Sequence, residues 1–388
     1  MHVVSGAVEQ LGAYTARIDR QIAEVVEQEI DDPWLRNAIG YHLGWLDERF
    51  EPPERAARRP GGKKLRATLA VVAFRAAEAG AIPPADRDSD PDADAEESVV
   101  VVDIGRVLPF AAAIELLHNW SIVHDDIEDG DRLRRGRPAL WTICGEAKAI
   151  NVGDCLHALA FSCLGRLRAH GVTESEVSGL LSEMARTAVE LTVGQMRDLI
   201  YETAPDVDSL RYLQMVEGKT AALMRCSTYG GALLGAGDRT EARTYGEFGQ
   251  RLGLSFQMRD DILGIWAADT DTGKSAGGDI CRRKKTLPVV LGFERASEPD
   301  SLRLQQIYEQ DDPVTPSEEQ YVREVLDRCG ARDLTQEWAE RLVTEAVGAL
   351  DRTQAHSRAQ AVEGHDSSAE RQLTALHDLA DFVTQRSY

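Results

Sequence analysis

The sequence predicts an all-α fold, and three observations lead to that prediction. Apolar residues recur at three- and four-residue spacing in nearly every long segment, as they do on one face of a helix. Alternating strand patterns bounded by hairpin turns are hard to find. Hydrophobic residues make up 43% of the 388 residues, enough to bury a large core. We therefore expect one domain over residues 1–388, a helical bundle whose functional groups project inward into a central cavity.

Caps and breakers divide the first hundred residues. Asp32 and Pro33 predict an N-cap and a first helical position, opening a helix over 34–46. A glycine pair opens a second helix over 61–81. The segment 83–98 carries seven acids, one arginine and no aromatic residue, so we expect a solvated insert loop there.

Longer helices occupy the middle of the chain. We expect one over 99–129, one that begins at the capping-box pair Thr173 and Glu176, and two more over 208–235 and 240–266.

A polar segment and a helical region complete the chain. The segment 267–284 contains several glycines and is a candidate lid over a site. Residues 286–388 predict about four further helices, with polar joints near 313–318 and 363–368. We find no internal repeat and no domain linker.

Composition excludes some partners. Asp and Glu number 65 against 44 Lys and Arg, a formal net charge of −21, which disfavours nucleic acid and favours a divalent metal as the counter-charge. Without a run of about 18 apolar residues we expect no transmembrane segment and a cytoplasmic location. The six cysteines form no metal-type spacing, so we expect small core residues at 144, 155, 163, 226, 281 and 329.

Two acidic clusters interrupt apolar helices. Asp125, Asp126 and Asp129 end the apolar run VLPFAAAIELLHNWSIV, and Asp260 and Asp261 lie in LGLSFQMRDDILGIW. A solvated acidic helix end is the simpler interpretation of such a run, but these helices are apolar enough to be buried. Carboxylates crowded on a buried helix resist ionisation unless a cation bridges them, and hard oxygen ligands favour Mg²⁺.

Basic residues are dispersed around these acids in the sequence, which is the composition expected of a diphosphate site. They are Lys63, Lys64, Arg66, Arg134, Arg135, Lys219, Lys274, Lys284 and Lys285. The tripeptides 218–220 and 273–275 look like the end of a nucleotide P-loop, but Leu213 and Ala268 stand where that loop needs glycine. A nucleotide hydrolase is therefore disfavoured.

Five motifs in order resemble the trans-isoprenyl diphosphate synthases, also called polyprenyl synthetases, over nearly the whole chain. They are GGKKLRA (61–67), HDDIEDGDRLRRGRP (124–138), GKT (218–220), FQMRDDILG (256–264) and GKSAGGD…KKTLP (273–288). The resemblance implies an isoprenoid-synthase-type helical bundle, usually a homodimer, in which three Mg²⁺ ions hold an allylic diphosphate between the two aspartate motifs.

The resemblance also implies a role for each matching residue. Metal ligands would be Asp125, Asp129 and Asp260, supported by Asp126 and Asp261. The allylic diphosphate would be bound by Arg134, Lys219, Thr220, Gln257, Lys274 and Lys284. Isopentenyl diphosphate would be bound by Lys63, Arg66, His118 and Arg135. By itself His118 would more simply be a core histidine, and we interpret His124 as structural.

Product length would be set upstream of Asp125 on the same helix. In the family the positions of Trp120 and Ser121 act as a floor, so an indole beside a small serine implies a C20 product, geranylgeranyl diphosphate, with C15 as the alternative. Packing in the core is the simpler role for Trp120. The sequence departs from the family at Lys64, Ala67 and Gly264, and the last replaces the third acid of the second motif. We expect activity to survive with weaker binding of the third metal ion.

Two other functions remain open. A class I terpene cyclase on the same fold would ionise one substrate and would need no isopentenyl site, and a non-catalytic subunit of a heteromeric synthase would need neither metal cluster. The basic residues near Lys63 argue against the cyclase, and the two intact acidic motifs argue against the inactive subunit.

Overall fold

The computed structural model describes residues 2–53, 64–81, 104–267, 278–360 and 376, and within them the chain is almost entirely helical. The all-α prediction is therefore confirmed. The helices are α1 (His2–Glu29), α2 (Pro33–His42), α3 (Leu65–Ala81), α4 (Leu108–Glu128), α5 (Leu140–Cys144), α6 (Glu146–Gly165), α7 (Glu174–Thr203), α8 (Ser209–Val216), α9 (Ala222–Ala236), α10 (Arg239–Trp266), α11 (Gly278–Cys281), α12 (Leu287–Arg295), α13 (Glu298–Glu309), α14 (Pro316–Arg328) and α15 (Ala331–Gln360).

Helix starts follow the predicted caps. The Asp32 carboxylate accepts a hydrogen bond from the Leu35 backbone N–H at 2.7 Å, as an N-cap should. Thr173 and Glu176 form both bonds of a capping box, one at 2.9 Å and one at 3.3 Å. Between Leu287 and Gln360 the structure has four helices, where about four were expected over 286–388.

Three predicted helix bounds are wrong. The helix predicted over 34–46 ends at His42, because the chain turns at Gly44 with φ of 82°. The helix predicted from residue 99 begins at Leu108 after a 3₁₀ turn, and Pro109 in its first turn favours that start. A π-helical turn over Glu217–Ala221 interrupts the helix predicted over 208–235.

A two-residue hairpin follows α4, and no pattern predicted it. Strand β1 (Leu133–Arg134) pairs antiparallel with β2 (Arg137–Pro138), with Arg134 opposite Arg137. The turn residues Arg135 and Gly136 have φ of 53° and 72°, the positive values that a tight hairpin turn requires. The sharp turn therefore gathers several arginines in a few residues beyond the first aspartate motif.

Two compact units make up the described chain. Within the described residues, one is drawn from Met1–Ala185, Cys226–Gly246 and Ala349–Asp378, and the other from Arg186–Arg225 and Glu247–Gly348. In the first, α4 and α6 form the most extensive of the helix pairs that are described. In the second, α10, α12, α13 and α14 contribute to a shared apolar core. The single-domain bundle stays a prediction.

Some expectations lie outside the described residues: the insert at 83–98, most of the candidate lid at 267–284, the joint at 363–368, Lys63 and Lys274. The interpretation of the cysteines as core residues holds for Cys163 and Cys226, which are buried, but Cys281 is exposed and the other three are half-buried. No helix in the part of the chain that the structure describes is both long and apolar enough to cross a membrane.

Candidate functional site

The first aspartate motif closes α4 in the first unit. Asp126 is buried and accepts a hydrogen bond at 2.6 Å from Nε of Arg134, whose Nη2 also contacts it. Burial raises the pKa of the Asp126 carboxyl, the Arg134 guanidinium opposes that rise, and the neighbouring Asp125 adds to it. Asp125 lies 4.0 Å from Arg134, and Asp129 is the C-cap of α4. Asp126 therefore anchors Arg134. The other two acids of the motif, Asp125 and Asp129, are half-exposed.

A cationic cluster lies in the same unit. Nη1 of Arg66, on α3, contacts Nε2 of His118, on α4, at 3.1 Å. Because arginine can only donate, the imidazole accepts and is neutral. Burial first, and then the nearby Arg66 and Arg135, hold the pKa of His118 well below its ordinary value. Two residues 52 positions apart that were both predicted to bind isopentenyl diphosphate are thus in contact.

A cavity of about 140 Å³ is lined in part by His42 and Arg135, which both act electrostatically on His118. Its lining includes His42 from α2, Asn119 and Asp126 from α4, and Arg134, Arg135 and Arg137 from the hairpin. Burial lowers the pKa of the Arg135 guanidinium, and repulsion from Arg134 adds to that effect. The cavity therefore carries more positive than negative side chains, which suits an anion.

The second aspartate motif, in the other unit, has one structural and one exposed acid. Asp261 is buried and accepts hydrogen bonds from the Tyr212 hydroxyl, from Nε2 of Gln257 at 2.9 Å and from the Leu287 backbone N–H at 2.8 Å. Burial raises its pKa to about 7, although these bonds oppose the rise. Asp261 thus ties α10 to the start of α12, while Asp260 is exposed.

Lys219, Thr220 and Gln257 make the contacts that connect the GKT motif to α7 and α10. Nζ of Lys219 forms an ion pair with Asp198 of α7 at 2.5 Å. The Thr220 hydroxyl donates to Oε1 of Gln257 at 3.0 Å, and Gln257 donates in turn to Asp261. Lys219 and Thr220 both lie in the π-helical turn, a feature often found at functional sites.

The packing around Gly264 explains why this position has no side chain where the family motif has its third acid. A Cβ added there would lie 2.7 Å from Cγ of Asp279, on α11, and would overlap its carboxylate. Gly264 is four residues after Asp260, hence on the same face of α10. An acid from α11 therefore occupies the space beside the position where the family motif has its third acid.

Trp120 packs against α6. Its ring centroid lies 4.7 Å from that of His157, which in turn lies 5.0 Å from that of Phe161, and the His124 ring is 5.9 Å from the indole centroid in an edge-on arrangement. The Ser121 hydroxyl donates to the His118 backbone carbonyl within α4 at 2.8 Å. The predicted floor is thus one member of an aromatic wall shared by two helices.

Lys64 and Lys285 also have protein partners. Lys64 is buried, with φ of 43°, and pairs with Asp19 of α1 at 3.1 Å and Glu115 of α4 at 3.9 Å. Nζ of Lys285 donates to the backbone carbonyls of Tyr201 at 2.8 Å and Glu202 at 3.2 Å, the last turn of α7. Ion pairing holds the ammonium group of Lys64 and helix capping that of Lys285, and a part for either lysine in a diphosphate site stays a prediction.

Sequence reasoning missed Asp198, Tyr212, His42 and the α6 residues His157 and Phe161. Asp198 precedes Lys219 by 21 residues, and no local spacing connects them. His157 and Phe161 have the four-residue spacing of one helix face, a signal too common to single them out.

The acids present are suited to Mg²⁺, because carboxylate oxygens are the ligands it prefers. Among the residues that the structure describes, no group of three or more His, Cys, Asp and Glu side chains could hold a metal ion by itself. Mg²⁺ ordinarily keeps several waters and shares one or two carboxylates with substrate phosphates. The half-exposed Asp125 and Asp129 and the exposed Asp260 fit that mode of binding.

The sequence of this chain was compared with those of known proteins, and it has relatives among them. Residues 48–327 match the polyprenyl synthetase family. A geranylgeranyl diphosphate synthase from Mycobacterium tuberculosis is 35% identical over 317 residues, 81% of this chain and 81% of the relative. A (2E,6E)-farnesyl diphosphate synthase from Mycobacterium bovis is 32% identical over 357 residues, 92% of this chain and 87% of the relative.

A solved structure has the same fold over the full length. The polyprenyl synthase from Caulobacter crescentus, complexed with calcium and isoprenyl diphosphate, superimposes with a TM-score of 0.72 at 28% identity, covering 99% of this chain and 98% of that one.

Proposed function

Because this chain belongs to the polyprenyl synthetase family and is a prenyltransferase, we propose that it condenses isopentenyl diphosphate with allylic diphosphates of C5 to C15 and releases diphosphate. The observation that carries the proposal is the contact of Arg66 with His118 near the arginine-lined cavity. A cyclase has no use for a second diphosphate pocket. The cationic cluster therefore favours elongation over cyclisation.

The proposed chemistry follows from charge. Bound Mg²⁺ would neutralise the negative charge that develops on the leaving diphosphate. Lys219, held by Asp198, and Thr220, held by Gln257, would orient the allylic diphosphate so that its C–O bond ionises. The double bond of isopentenyl diphosphate then attacks the allylic cation, and the departing diphosphate takes the proton that is lost.

We propose Asp125, Asp129 and Asp260 as the metal ligands, for three Mg²⁺ ions in all. The calcium in the Caulobacter crescentus relative supports a divalent cation. The roles of Lys63, Lys274, Lys284, Arg134 and Arg135 at the two diphosphates stay predictions, as does a cytoplasmic location.

The proposed product is geranylgeranyl diphosphate, C20, with farnesyl diphosphate, C15, as the alternative. The aromatic wall of Trp120, His157 and Phe161 supports a short product, because its packed rings occupy space between α4 and α6. Named relatives make either product.

We also propose a homodimer. Four apolar residues of α7 are exposed, Val189, Val193, Met196 and Ile200, and at 100° per residue they lie within about 60° of one another. Asp198 lies roughly opposite on the helix. This stripe is therefore on the face of α7 away from Lys219, where a second copy could cover it.

One assay tests the proposed reaction. The chain is incubated with Mg²⁺, isopentenyl diphosphate and a C5, C10 or C15 allylic diphosphate, and the products are separated by chromatography after phosphatase treatment. We expect linear C20 product from each primer. A cyclic hydrocarbon formed from the allylic diphosphate alone would establish the cyclase, and no conversion of any substrate would favour the inactive subunit.

A further inference from the structure

A histidine that no motif singled out lines the arginine-rich cavity. His42 is the last residue of α2, and the lining also includes Asn119, Arg134 and Arg135. Its Nε2 atom is buried and has no hydrogen-bond partner among the residues that the structure describes. A buried polar atom without a partner costs free energy, so its position in a cavity calls for a ligand.

The protonation of His42 follows from its neighbour Asn119. Both N–H groups of the Asn119 amide donate to Glu115, at 2.7 Å to its backbone carbonyl and at 3.1 Å to its carboxylate. Only the amide oxygen remains for the hydrogen bond between Asn119 and His42. Because Nε2 has no partner, that bond is donated by Nδ1, and in the neutral imidazole Nε2 then carries a lone pair.

Charged and titratable groups near His42 belong to its own helix, to α3, to α4 and to the hairpin. They are Tyr41, Arg66, Glu115, His118, Asp126, Arg134, Arg135 and Arg137. Burial first, and then Arg135 and Arg134, lower the pKa of His42 to about 3. Its surroundings therefore keep this histidine neutral.

Arg134 and Arg137 both contact protein groups. Arg134 is bound to Asp126. Arg137 donates to the backbone carbonyls of Tyr41 at 3.3 Å and Leu46 at 2.7 Å, and its guanidinium stacks over the Tyr41 ring at 4.3 Å. Their positive charge still acts on the cavity, because Asp126 is the one carboxylate among the described residues that line it.

We propose that His42 is a further binding residue for the diphosphate of isopentenyl diphosphate, and that this diphosphate binds together with one proton held between Nε2 of His42 and a phosphate oxygen. The inference rests on the proposed function. The proton comes from solvent, an N–H···O hydrogen bond forms, and no other bond is made or broken. The added negative charge offsets the arginines that otherwise keep the imidazole neutral.

Calorimetry tests the proposal without any chemical step. Isopentenyl diphosphate is titrated into the full-length protein in EDTA at pH 7.5, in HEPES and in Tris, whose different ionisation heats report the protons taken up. We expect the wild type to take up as much as one proton for each isopentenyl diphosphate that binds. His42→Gln should take up at most half as much and should bind about 10-fold more weakly, the loss expected for one hydrogen bond to a charged group.

The matched control is His170→Gln, which alters an exposed histidine in the 3₁₀ turn after α6 and should behave as the wild type. Steady-state kinetics add a second readout: KM for isopentenyl diphosphate should rise in His42→Gln, while KM for the allylic substrate should not. Equal rises in both, or unchanged affinity and proton uptake, would overturn the proposal.

A variant that fails to fold leaves a test on the wild type. Its dissociation constant for isopentenyl diphosphate should rise with pH between 6 and 8.5, and a constant value would overturn the role of His42. Failure of the proposed function is distinguishable, because the wild type would then neither bind nor consume isopentenyl diphosphate.

Discussion

At the scale of single residues, we proposed Asp125 on α4 and Asp260 on α10 as metal ligands, while Asp126 and Asp261 are buried and bound by Arg134 and Tyr212. We expect Asp125→Ala and Asp260→Ala each to lower kcat by about 100-fold or more, since each removes several kcal/mol of charge stabilisation. EDTA should abolish activity until Mg²⁺ is restored.

Glu128→Ala is the matched control, because it removes an exposed acid from the same end of α4. Circular dichroism should show an intact fold in all three variants. Full activity of Asp125→Ala in EDTA would contradict the metal assignment.

Trp120 has a prediction of its own. Removing the indole that stacks on His157 should open the space between α4 and α6, so Trp120→Ala should shift products beyond those of the wild type. The cavity costs about 3–5 kcal/mol of stability. Product chromatography at saturating isopentenyl diphosphate measures the shift, with Trp34→Ala, a partly exposed indole on α2, as control. An unchanged distribution from the folded variant would show that Trp120 is not the floor.

His42 also predicts a pH dependence of stability. Its pKa is about 3 in the folded chain against an ordinary 6.5, so below pH 6.5 the unfolded chain binds a proton that the folded chain does not. Stability is therefore lost as the pH falls from 6.5 toward 3, by about 1.4 kcal/mol per pH unit. The free energy of unfolding, measured in urea, should fall between pH 7.5 and pH 5.5 in the wild type. In His42→Gln that fall should be about 1.4 kcal/mol smaller. The same difference in both proteins would contradict this.

At the scale of elements, α7 and the π-helical turn approach so closely that only glycine fits. A Cβ on Gly194 would lie 2.6 Å from the carbonyl carbon of Gly218 and would overlap the backbone of Lys219. Gly194→Ala should therefore move the turn, break the Lys219–Asp198 ion pair, lower stability by about 1–3 kcal/mol and reduce turnover.

Gly179→Ala provides the comparison on the same helix. A Cβ there meets only an arginine nitrogen, at 3.5 Å, so the substitution should stabilise α7 by up to about 1 kcal/mol and leave activity unchanged. Thermal unfolding and steady-state kinetics of both variants measure these effects. Equal stability and equal activity of Gly194→Ala and Gly179→Ala would show that the close approach of α7 to the π-helical turn does not position Lys219.

At the scale of the whole molecule, the exposed stripe on α7 predicts a homodimer. Val193→Lys combined with Ile200→Lys should convert the dimer to a monomer, because two buried ammonium groups would face apolar surface. Leu302→Lys changes a single exposed leucine on α13 and should leave the dimer intact. Sedimentation velocity distinguishes the species. A dimer that survives the double substitution would place the interface elsewhere.

The features of this protein that depend only on residues close together in the sequence could be predicted from the sequence alone. Helical periodicity predicted the fold class, and the caps at Asp32 and Thr173 predicted helix starts, because both signals act within one or two turns. The ordered motifs predicted the family, since each keeps its chemical groups within a few residues.

Tertiary structure decided which of those groups are buried against partners that lie far away in the sequence. Asp126 and Asp261 are acids of the same motifs as Asp125 and Asp260, yet Arg134 and Tyr212 occupy them. Lys64 is buried in an ion pair with Asp19, 45 positions away. The packing of distant helices sets these contacts, and sequence spacing carries no information about it. These contacts matter for stability because the groups are buried. A buried charge that lacks a partner inside the protein costs a large amount of free energy.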